Sequence, residues 1–186
     1  MILEIAGIDG AGKSTLTSWI ARTWGFSPRK VQPYDELFWE DAARIGHSLG
    51  LGAVEVIKAG AIARALLVEM SRLDKGRIVF DRFLEGARMY WAVKDLQPIP
   101  EIVLSELRGP DHVILLDIDP KIAIVRRNHP SERTRDEELT YLQKCATYLR
   151  NKAVEDQWKV VDASLPLEIV ESEINQLLTQ LEGSRV

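Results

Sequence analysis

Two hydrophobic patterns alternate along the chain. Short apolar runs are typical of strands buried in a parallel sheet, and longer segments with apolar residues three and four positions apart are typical of helices packed on such a sheet. The short runs predict strands at residues 2–6, 30–32, 77–80, 113–116 and 159–161. The helical spacing predicts helices at residues 13–24, 34–47, 53–73, 84–94, 99–108, 137–154 and 166–182, and one more that begins at Asp119-Pro120. This alternation predicts an α/β fold, with a five-stranded parallel sheet and helices on both faces.

The first predicted strand leads directly into a glycine-rich turn, Gly7-Ile-Asp-Gly-Ala-Gly-Lys-Ser-Thr15. The turn matches the P-loop pattern G-x-x-x-x-G-K-[ST], and it has the preceding strand and following helix that the motif requires. Glycines let the backbone approach a ligand closely, and the N–H groups of such a loop and of the helix start bind phosphate oxygens. We therefore expect a P-loop NTPase fold, with Lys13 on the β- and γ-phosphates of ATP and Ser14 on Mg²⁺.

A charged pair, Asp81-Arg82, follows the third predicted strand. It lies at the carboxyl end of that strand, where parallel α/β sheets bind their ligands. Asp81 is expected to hold Mg²⁺ through water, and the guanidinium of Arg82 to bind phosphate through its fork of donors. The alternative is a solvated ion pair with no function.

Four arginines lie close together around Pro130, namely Arg126, Arg127, Arg133 and Arg135. This density of positive charge predicts an arginine-rich lid, over about residues 126–138, that closes on the transferring phosphates. The alternative is a solvated basic helix whose arginines pair with neighbouring acidic residues.

Candidate contacts to an acceptor come from three predicted helices. Trp39 lies among other aromatic residues at 34–47, Arg64 lies in the middle of the helix at 53–73, and Arg88 and Tyr90 lie on the helix at 84–94. Aromatic rings can stack on a base or sugar, and arginine can bind phosphate. Packing on the core, or solvation in the case of arginine, is the alternative for each of them.

Composition and charge narrow the class of function. The chain of 186 residues suits a single domain, residues 1–186, and its net charge of −4 gives no broad surface for nucleic acid. The lone Cys145 excludes an internal disulfide, and no apolar stretch is long enough to span a membrane. We therefore expect a cytoplasmic protein that does not act on a membrane. The Asn-Lys-x-Asp motif of GTPases is absent, so the charged groups favour phosphoryl transfer to a small acceptor.

Several segments resemble the thymidylate kinase family of nucleoside monophosphate kinases. The turn at 7–15 is similar to the P-loop of that family, and Asp81-Arg82-Phe83 is similar to its Asp-Arg-Tyr motif. Residues 110–120 resemble its fourth strand with the following helix start, and residues 161–164 resemble its last strand and the loop beside adenine. The resemblance implies an ATP- and Mg²⁺-dependent kinase, dTMP or a related nucleotide as acceptor, and a homodimer.

The resemblance also implies roles for individual residues. Asp9 would face the acceptor sugar or the water shell of the metal, and Arg82 would contact the acceptor phosphate and the transferring group. Because Ala11 is neutral where some members carry an arginine, Arg133 and Arg135 of the lid would supply that charge. The implied nucleotide-binding residues are Gly10, Ala11, Gly12, Lys13, Ser14, Thr15, Arg127 and Ala163.

The chain departs from the family at its acceptor motifs. The usual Arg-Glu-Pro is replaced by a segment ending in Gln32-Pro33, and Arg64 lies about one turn out of register with the family's arginine. A deoxynucleoside kinase is therefore one alternative, since Arg133-Thr-Arg-Asp-Glu-Glu138 resembles the lid of that family; Asp35 or Glu36 would then be the base. The other alternative is an ATP-binding regulator without kinase activity.

Overall fold

The computed structural model describes residues 1–31, 51–73, 76–95, 108–127 and 134–183. For residues 51–57 and 59 it describes the backbone alone. The strands are β1 (Ile2–Ala6), β2 (Ser27–Lys30), β3 (Ile78–Asp81), β4 (His112–Asp117) and β5 (Lys159–Asp162). The helices of this part of the chain are α1 (Lys13–Trp24), α2 (Leu51–Ser71), α3 (Leu84–Val93), α4 (Pro120–Arg126), α5 (Arg135–Glu155) and α6 (Leu167–Gly183).

The five strands form one parallel sheet in the order β2-β3-β1-β4-β5. Four predicted strands are confirmed, with ends that differ by at most one residue. The second strand is also confirmed, but its predicted bounds of 30–32 were wrong, because Ser27–Lys30 form the strand. This strand lies at the edge of the sheet and is mostly exposed, so no apolar run marks it. Its proline is tolerated because an edge strand has one row of N–H groups without a partner strand.

The described helices agree with the predicted ones to within two residues. The carboxylate of Asp119 accepts the N–H of Lys121 at 2.7 Å and Pro120 occupies the first helical position, as expected for a capped helix start. Thr134 and Glu137 form a capping box at the start of α5. The predicted helix at 34–47 and residues 99–107 of the predicted helix at 99–108 lie outside the described residues.

The core lies on both faces of the sheet. Leu3 and Ile5 of β1 pack with Leu16 and Ile20 of α1 in the larger cluster, which also contains the buried Cys145. Ile2, whose side chain points to the opposite face of the strand from Leu3 and Ile5, belongs to a second cluster. The other buried members of this cluster come mainly from α2, β3 and α3, and they are Ile62, Leu66, Ile78, Phe80, Phe83, Leu84, Ala87 and Trp91. None of the helices in the described ranges is long and apolar enough to cross a membrane.

One ionisable side chain, Glu4, is fully buried in the centre of the sheet. Its carboxylate accepts the backbone N–H groups of Phe83, Glu85 and Gly86 at 2.9, 3.2 and 3.1 Å. The pKa of Glu4 is raised to about 7, mainly by burial and secondly by the nearby carboxylate of Glu85, while the backbone donors act in the opposite direction. Glu85 is in turn paired with Arg88.

This buried carboxyl makes the stability of the fold depend on pH. A carboxyl group whose pKa is higher in the folded than in the unfolded chain makes its full contribution to stability below the unfolded pKa, here 4.5. This contribution is lost as the pH rises through the folded pKa of about 7. We therefore expect the free energy of unfolding of the wild type to fall, relative to that of Glu4→Gln, as the pH increases over this range. Linkage gives a difference of up to about 3 kcal/mol.

Urea denaturation of both proteins across this pH range measures the difference. The exposed Glu168 provides a control, because Glu168→Gln should show no comparable change with pH. A difference between wild type and Glu4→Gln that is constant over the range would contradict the expectation.

Candidate active site

The glycine-rich turn joins β1 to α1 at the carboxyl edge of the sheet. Gly10 and Gly12 have φ values of +92° and +90°, a conformation that favours glycine. The N–H of Ala11 donates to the carbonyl of Ile8 at 3.2 Å, which closes the loop. Gly12 precedes α1 and carries no capping side chain, and the first turn of α1 has no acidic residue. The positive end of this helix is therefore suited to bind a phosphate group.

The two glycines face different surroundings. A Cβ atom on Gly10 would lie 2.2 Å from the carbonyl oxygen of Ala123, so Gly10 is where the loop packs against α4. A Cβ atom on Gly12 would meet nothing within 4 Å among the described residues. Gly10 therefore serves the packing of the loop, and Gly12 lies on its open side.

Lys13 brings a positive charge into the loop. Its side chain is 5% exposed, and its amine donates to the carbonyl of Ile8 at 2.7 Å and lies 3.7 Å from a carboxylate oxygen of Asp9. Burial lowers the pKa of Lys13 to about 8, and the negative charge of Asp81 acts against this shift. The contacts with Ile8 and Asp9 thus hold the amine within the loop.

Ser14 and Asp81 meet beside Lys13. The hydroxyl of Ser14 donates to Oδ2 of Asp81, and Oδ1 of Asp81 is buried with no hydrogen-bond partner among the described residues. Mg²⁺ prefers hard oxygen ligands and is commonly bound by one or two protein groups, together with water and substrate phosphates. A hydroxyl beside an unpartnered carboxylate oxygen fits this ion. The described residues contain no cluster of three or more His, Cys, Asp or Glu side chains that could hold a metal.

Arg82 extends the site from β3 towards the P-loop. Its φ of +65° is unusual for a residue with a side chain, and its guanidinium pairs with Asp9. Asp9 therefore contacts both Lys13 and Arg82. The next residue, Phe83, is buried and its ring stacks on that of Phe80, with centroids 4.1 Å apart. This packing anchors the turn that presents the arginine.

The two arginines that precede the undescribed segment 128–133 have defined partners. Arg126 donates to the carbonyls of Ala163 and Ser164 at 2.7 and 3.2 Å, and the N–H of Ala163 donates to the carbonyl of Asp117 at 2.7 Å. Arg127 pairs with Glu138, whose side chain is 4% exposed. These contacts connect the end of α4 to the loop after β5 and to the first turn of α5.

The remaining predicted site residues occupy separate places. Arg64 is exposed on α2, and Arg135 is exposed as the first residue of α5. Arg88 pairs with Glu85 on α3, and Tyr90 packs partly against the second core cluster. Trp39, Arg133, Asp35 and Glu36 lie outside the described residues. Side-chain contacts thus connect the predicted P-loop residues Asp9, Lys13 and Ser14 with Asp81 and Arg82 at the carboxyl end of β3.

Sequence reasoning missed two features of the site. Glu4 was not singled out, although a lone charge within an apolar strand is a visible signal. The contacts of Arg126 with Ala163 and of Arg127 with Glu138 were also not foreseen, because the pattern of arginines indicated charge and gave no partners.

Comparison with known proteins gives the family context of this site. The sequence profile described as thymidylate kinase matches residues 61–174, which is more than half of the chain. A probable thymidylate kinase of Archaeoglobus fulgidus is 29% identical, over 96% of this chain and 94% of its own length. A probable thymidylate kinase of Pyrobaculum aerophilum is 27% identical, over 96% of both chains.

A solved structure with a similar fold is a deoxyadenosine kinase from M. mycoides with the products dCMP and dCDP bound. It superimposes with a TM-score of 0.73 and is 24% identical, over 97% of this chain and 100% of the other. Another structure of that enzyme, with dATP bound, gives a TM-score of 0.70 at 23% identity, over 96% of this chain and 99% of the other. At this identity the likeness concerns the fold alone.

The contrast between the two loop glycines is directly testable. Both Gly10→Ala and Gly12→Ala place a side chain at positive φ, which costs about 1–2 kcal/mol. Only Gly10→Ala also forces the loop away from the carbonyl of Ala123. We expect Gly10→Ala to lower the Tm clearly more than Gly12→Ala, and Gly12→Ala to weaken ATP binding while the fold remains. Thermal unfolding and calorimetric titration with ATP measure the two effects; equal Tm losses would contradict the packing role of Gly10.

Proposed function

This chain belongs to the thymidylate kinase family, and we propose that it transfers the γ-phosphoryl group of ATP to a nucleoside monophosphate, with dTMP as the first candidate. The observation that supports this most directly is the contact of Asp9 with both Lys13 and Arg82, beside the Ser14–Asp81 pair. In these contacts Lys13 and Arg82, the two cations that we propose bind phosphate, lie near each other at one edge of the sheet. Transfer between two phosphate groups requires such positive charge from both sides.

The P-loop and Arg82 would bind the two different substrates. The backbone of residues 10–15 and the amine of Lys13 bind the phosphates of ATP, and Arg82 binds the acceptor phosphate. A phosphate oxygen of the acceptor forms the new bond to the γ-phosphorus as the bond to the β,γ-bridging oxygen breaks. An ionised phosphate is already nucleophilic, so no general base is needed. The contribution of the protein is then positioning and electrostatic stabilisation.

Mg²⁺ would be held by Ser14 and Asp81, and when bound it neutralises charge on the β- and γ-phosphates. The supporting observation is the unpartnered buried oxygen of Asp81 beside the hydroxyl of Ser14. We expect Asp81→Asn to raise the Mg²⁺ concentration needed for half-maximal turnover by about tenfold or more, because the carboxylate that would hold the ion through water is replaced by a neutral amide.

A titration of turnover with Mg²⁺ measures this requirement. Asp111→Asn is the matched control, since Asp111 lies beside the amino end of β1 and its carboxylate accepts the N–H of Ile2. An unchanged Mg²⁺ requirement in Asp81→Asn would assign the metal to other ligands.

The lid and the acceptor pocket complete the proposal. Arg127 and Ala163 would border the adenine, and Arg133 and Arg135 would approach the transferring phosphates from a lid at residues 126–138. The contact of Arg126 with Ala163 supports this, because it joins the start of that segment to the loop after β5. Trp39, Arg64, Arg88 and Tyr90 would contact the acceptor. The single kinase domain, residues 1–186, would act in the cytoplasm as a homodimer.

An acceptor screen tests the function. The protein is mixed with ATP and Mg²⁺, each nucleoside and nucleoside monophosphate is added separately, and ADP release is followed. We expect turnover with a monophosphate, and dTMP above the others. Turnover with nucleosides alone would favour a deoxynucleoside kinase with a base at Asp35 or Glu36. ATP binding without acceptor-dependent turnover would favour a regulator.

Lys13→Ala tests whether this turnover belongs to the described site. Loss of the P-loop cation should lower kcat/KM by about a hundredfold or more. The fold should remain, because the substitution removes a buried charge from an already formed loop. The exposed lysine Lys144 gives the control, and Lys144→Ala should keep wild-type turnover. Near-normal turnover in Lys13→Ala would show that the measured activity does not arise at this P-loop.

A further inference from the structure

Glu4 is a charged side chain in the strand that leads into the P-loop, and none of the roles above uses it. The other residues of β1 are aliphatic, and all five are buried. Placing a carboxyl group in such surroundings costs free energy unless hydrogen bonds compensate for the lost water. The contacts of Glu4 therefore show what the buried carboxyl group holds in place.

The carboxylate of Glu4 caps α3 from outside the helix. The residue that precedes α3, Phe83, makes no side-chain capping hydrogen bond. The first N–H groups of a helix lack partners within the helix and need an acceptor. Oxygen atoms of Glu4 accept the N–H groups of Phe83, Glu85 and Gly86. A carboxylate from the neighbouring strand thus does what a polar N-cap side chain normally does, and it also suits the positive end of the helix.

The capped turn begins directly after Arg82. The left-handed conformation of Arg82 is one that residues with a side chain rarely adopt, so contacts on the following residues must hold it. Two contacts do so, namely the stacking of Phe83 on Phe80 and the hydrogen bonds to Glu4. Gly86 keeps the space open, because a Cβ there would lie 3.1 Å from Cβ of Arg82 and 3.9 Å from Oε1 of Glu4.

A neighbouring ion pair limits the repulsion that Glu4 meets. Glu85 is buried and carries the second carboxylate of this region, and burial raises its pKa. Arg88 pairs with Glu85 and opposes this rise in pKa, and it keeps a positive charge beside the two carboxyl groups. The first turn of α3 therefore holds Glu4 through its N–H groups and compensates for Glu85 through Arg88.

We propose that Glu4 is a positioning residue for phosphoryl transfer: by binding the N–H groups of the first turn of α3, it holds Arg82 in the conformation that presents its guanidinium to Asp9 and to the acceptor phosphate. This role rests on the proposed kinase function. Glu4 acts through Arg82 and contacts no reacting atom.

The kinetic test compares Glu4→Gln and Glu4→Leu with the control Asp111→Asn. The control removes a carboxylate that accepts the N–H of Ile2 at 2.7 Å, beside the amino end of the same strand. We expect both Glu4 variants to lower kcat with dTMP by about tenfold or more, with the KM for ATP changed by less than about twofold. Asp111→Asn should keep kcat within about twofold of the wild type.

Stability measurements separate positioning from a general loss of structure. Glu4→Leu leaves the N–H groups of Phe83, Glu85 and Gly86 without an acceptor, which lowers stability, whereas Glu4→Gln keeps one side-chain oxygen that can accept. We therefore expect the Tm of Glu4→Leu to fall and that of Glu4→Gln to stay within about 5 °C of the wild type, while kcat falls in both variants. Wild-type kcat in both Glu4 variants would overturn the proposal, as would equal losses of kcat in these variants and in the control.

A double-mutant cycle tests whether Glu4 acts through Arg82. In an Arg82→Ala background, adding Glu4→Gln should change the remaining kcat by less than about twofold, because the group that Glu4 positions is gone. A tenfold loss that persists in this background would show that Glu4 acts by another route and would overturn the proposal.

A readout without catalysis keeps the two proposals distinguishable. The side-chain Nε–Hε signal of Arg82 in a ¹⁵N NMR spectrum is assigned by its absence in Arg82→Ala. We expect the chemical shift of this signal to change in Glu4→Gln and to remain that of the wild type in Asp111→Asn. If the wild type turns over no nucleoside monophosphate, the proposed function is wrong. The NMR signal still tests the role of Glu4 in that case, because an unchanged chemical shift in Glu4→Gln would overturn its positioning of Arg82.

Discussion

The candidate active site depends on the parallel pairing of β1 with β3. In this register Ile5 lies beside Asp81, so the two strands end at the same level of the sheet. The P-loop leaves one strand and the Arg82 turn leaves the other, side by side. Contacts between distant parts of the sequence follow from this, such as those of Ser14 with Asp81 and of Asp9 with Arg82. The sheet thus supplies the positioning that phosphoryl transfer requires.

Opposite charges compensate one another along this edge. Lys13 is buried and would be costly to charge alone, but Asp9 lies beside it and Asp81 favours its protonated form. Asp9 also pairs with Arg82. One carboxylate thus holds two cations near each other despite their repulsion. The same cations are the groups that an incoming phosphate would meet, which connects the stability of the edge to its proposed chemistry.

The parts of the fold that were predictable from sequence are those fixed locally. The P-loop is a continuous segment, and the central strands are apolar runs, so both could be read directly. The edge strand β2 has no such run because solvent covers most of it. The different surroundings of Gly10 and Gly12 were not predictable, since the constraint on Gly10 comes from Ala123, which lies far along the chain.

The two halves of the proposed reaction use different kinds of recognition. Backbone N–H groups would bind the phosphates of ATP, and their geometry depends on a few glycines and a helix start. The sequence motif for this half is therefore short and continuous, and it can be recognised directly. An acceptor base is recognised by side chains from separate elements, and it is there that the chain departs from its family. The capped turn after β3 belongs to neither half alone, because in the proposed role it positions Arg82 for both the acceptor phosphate and the transferring group. The cost of burying a carboxyl group in β1 fits this proposed role, since the carboxylate binds the turn that follows Arg82, a cation that both substrates would contact.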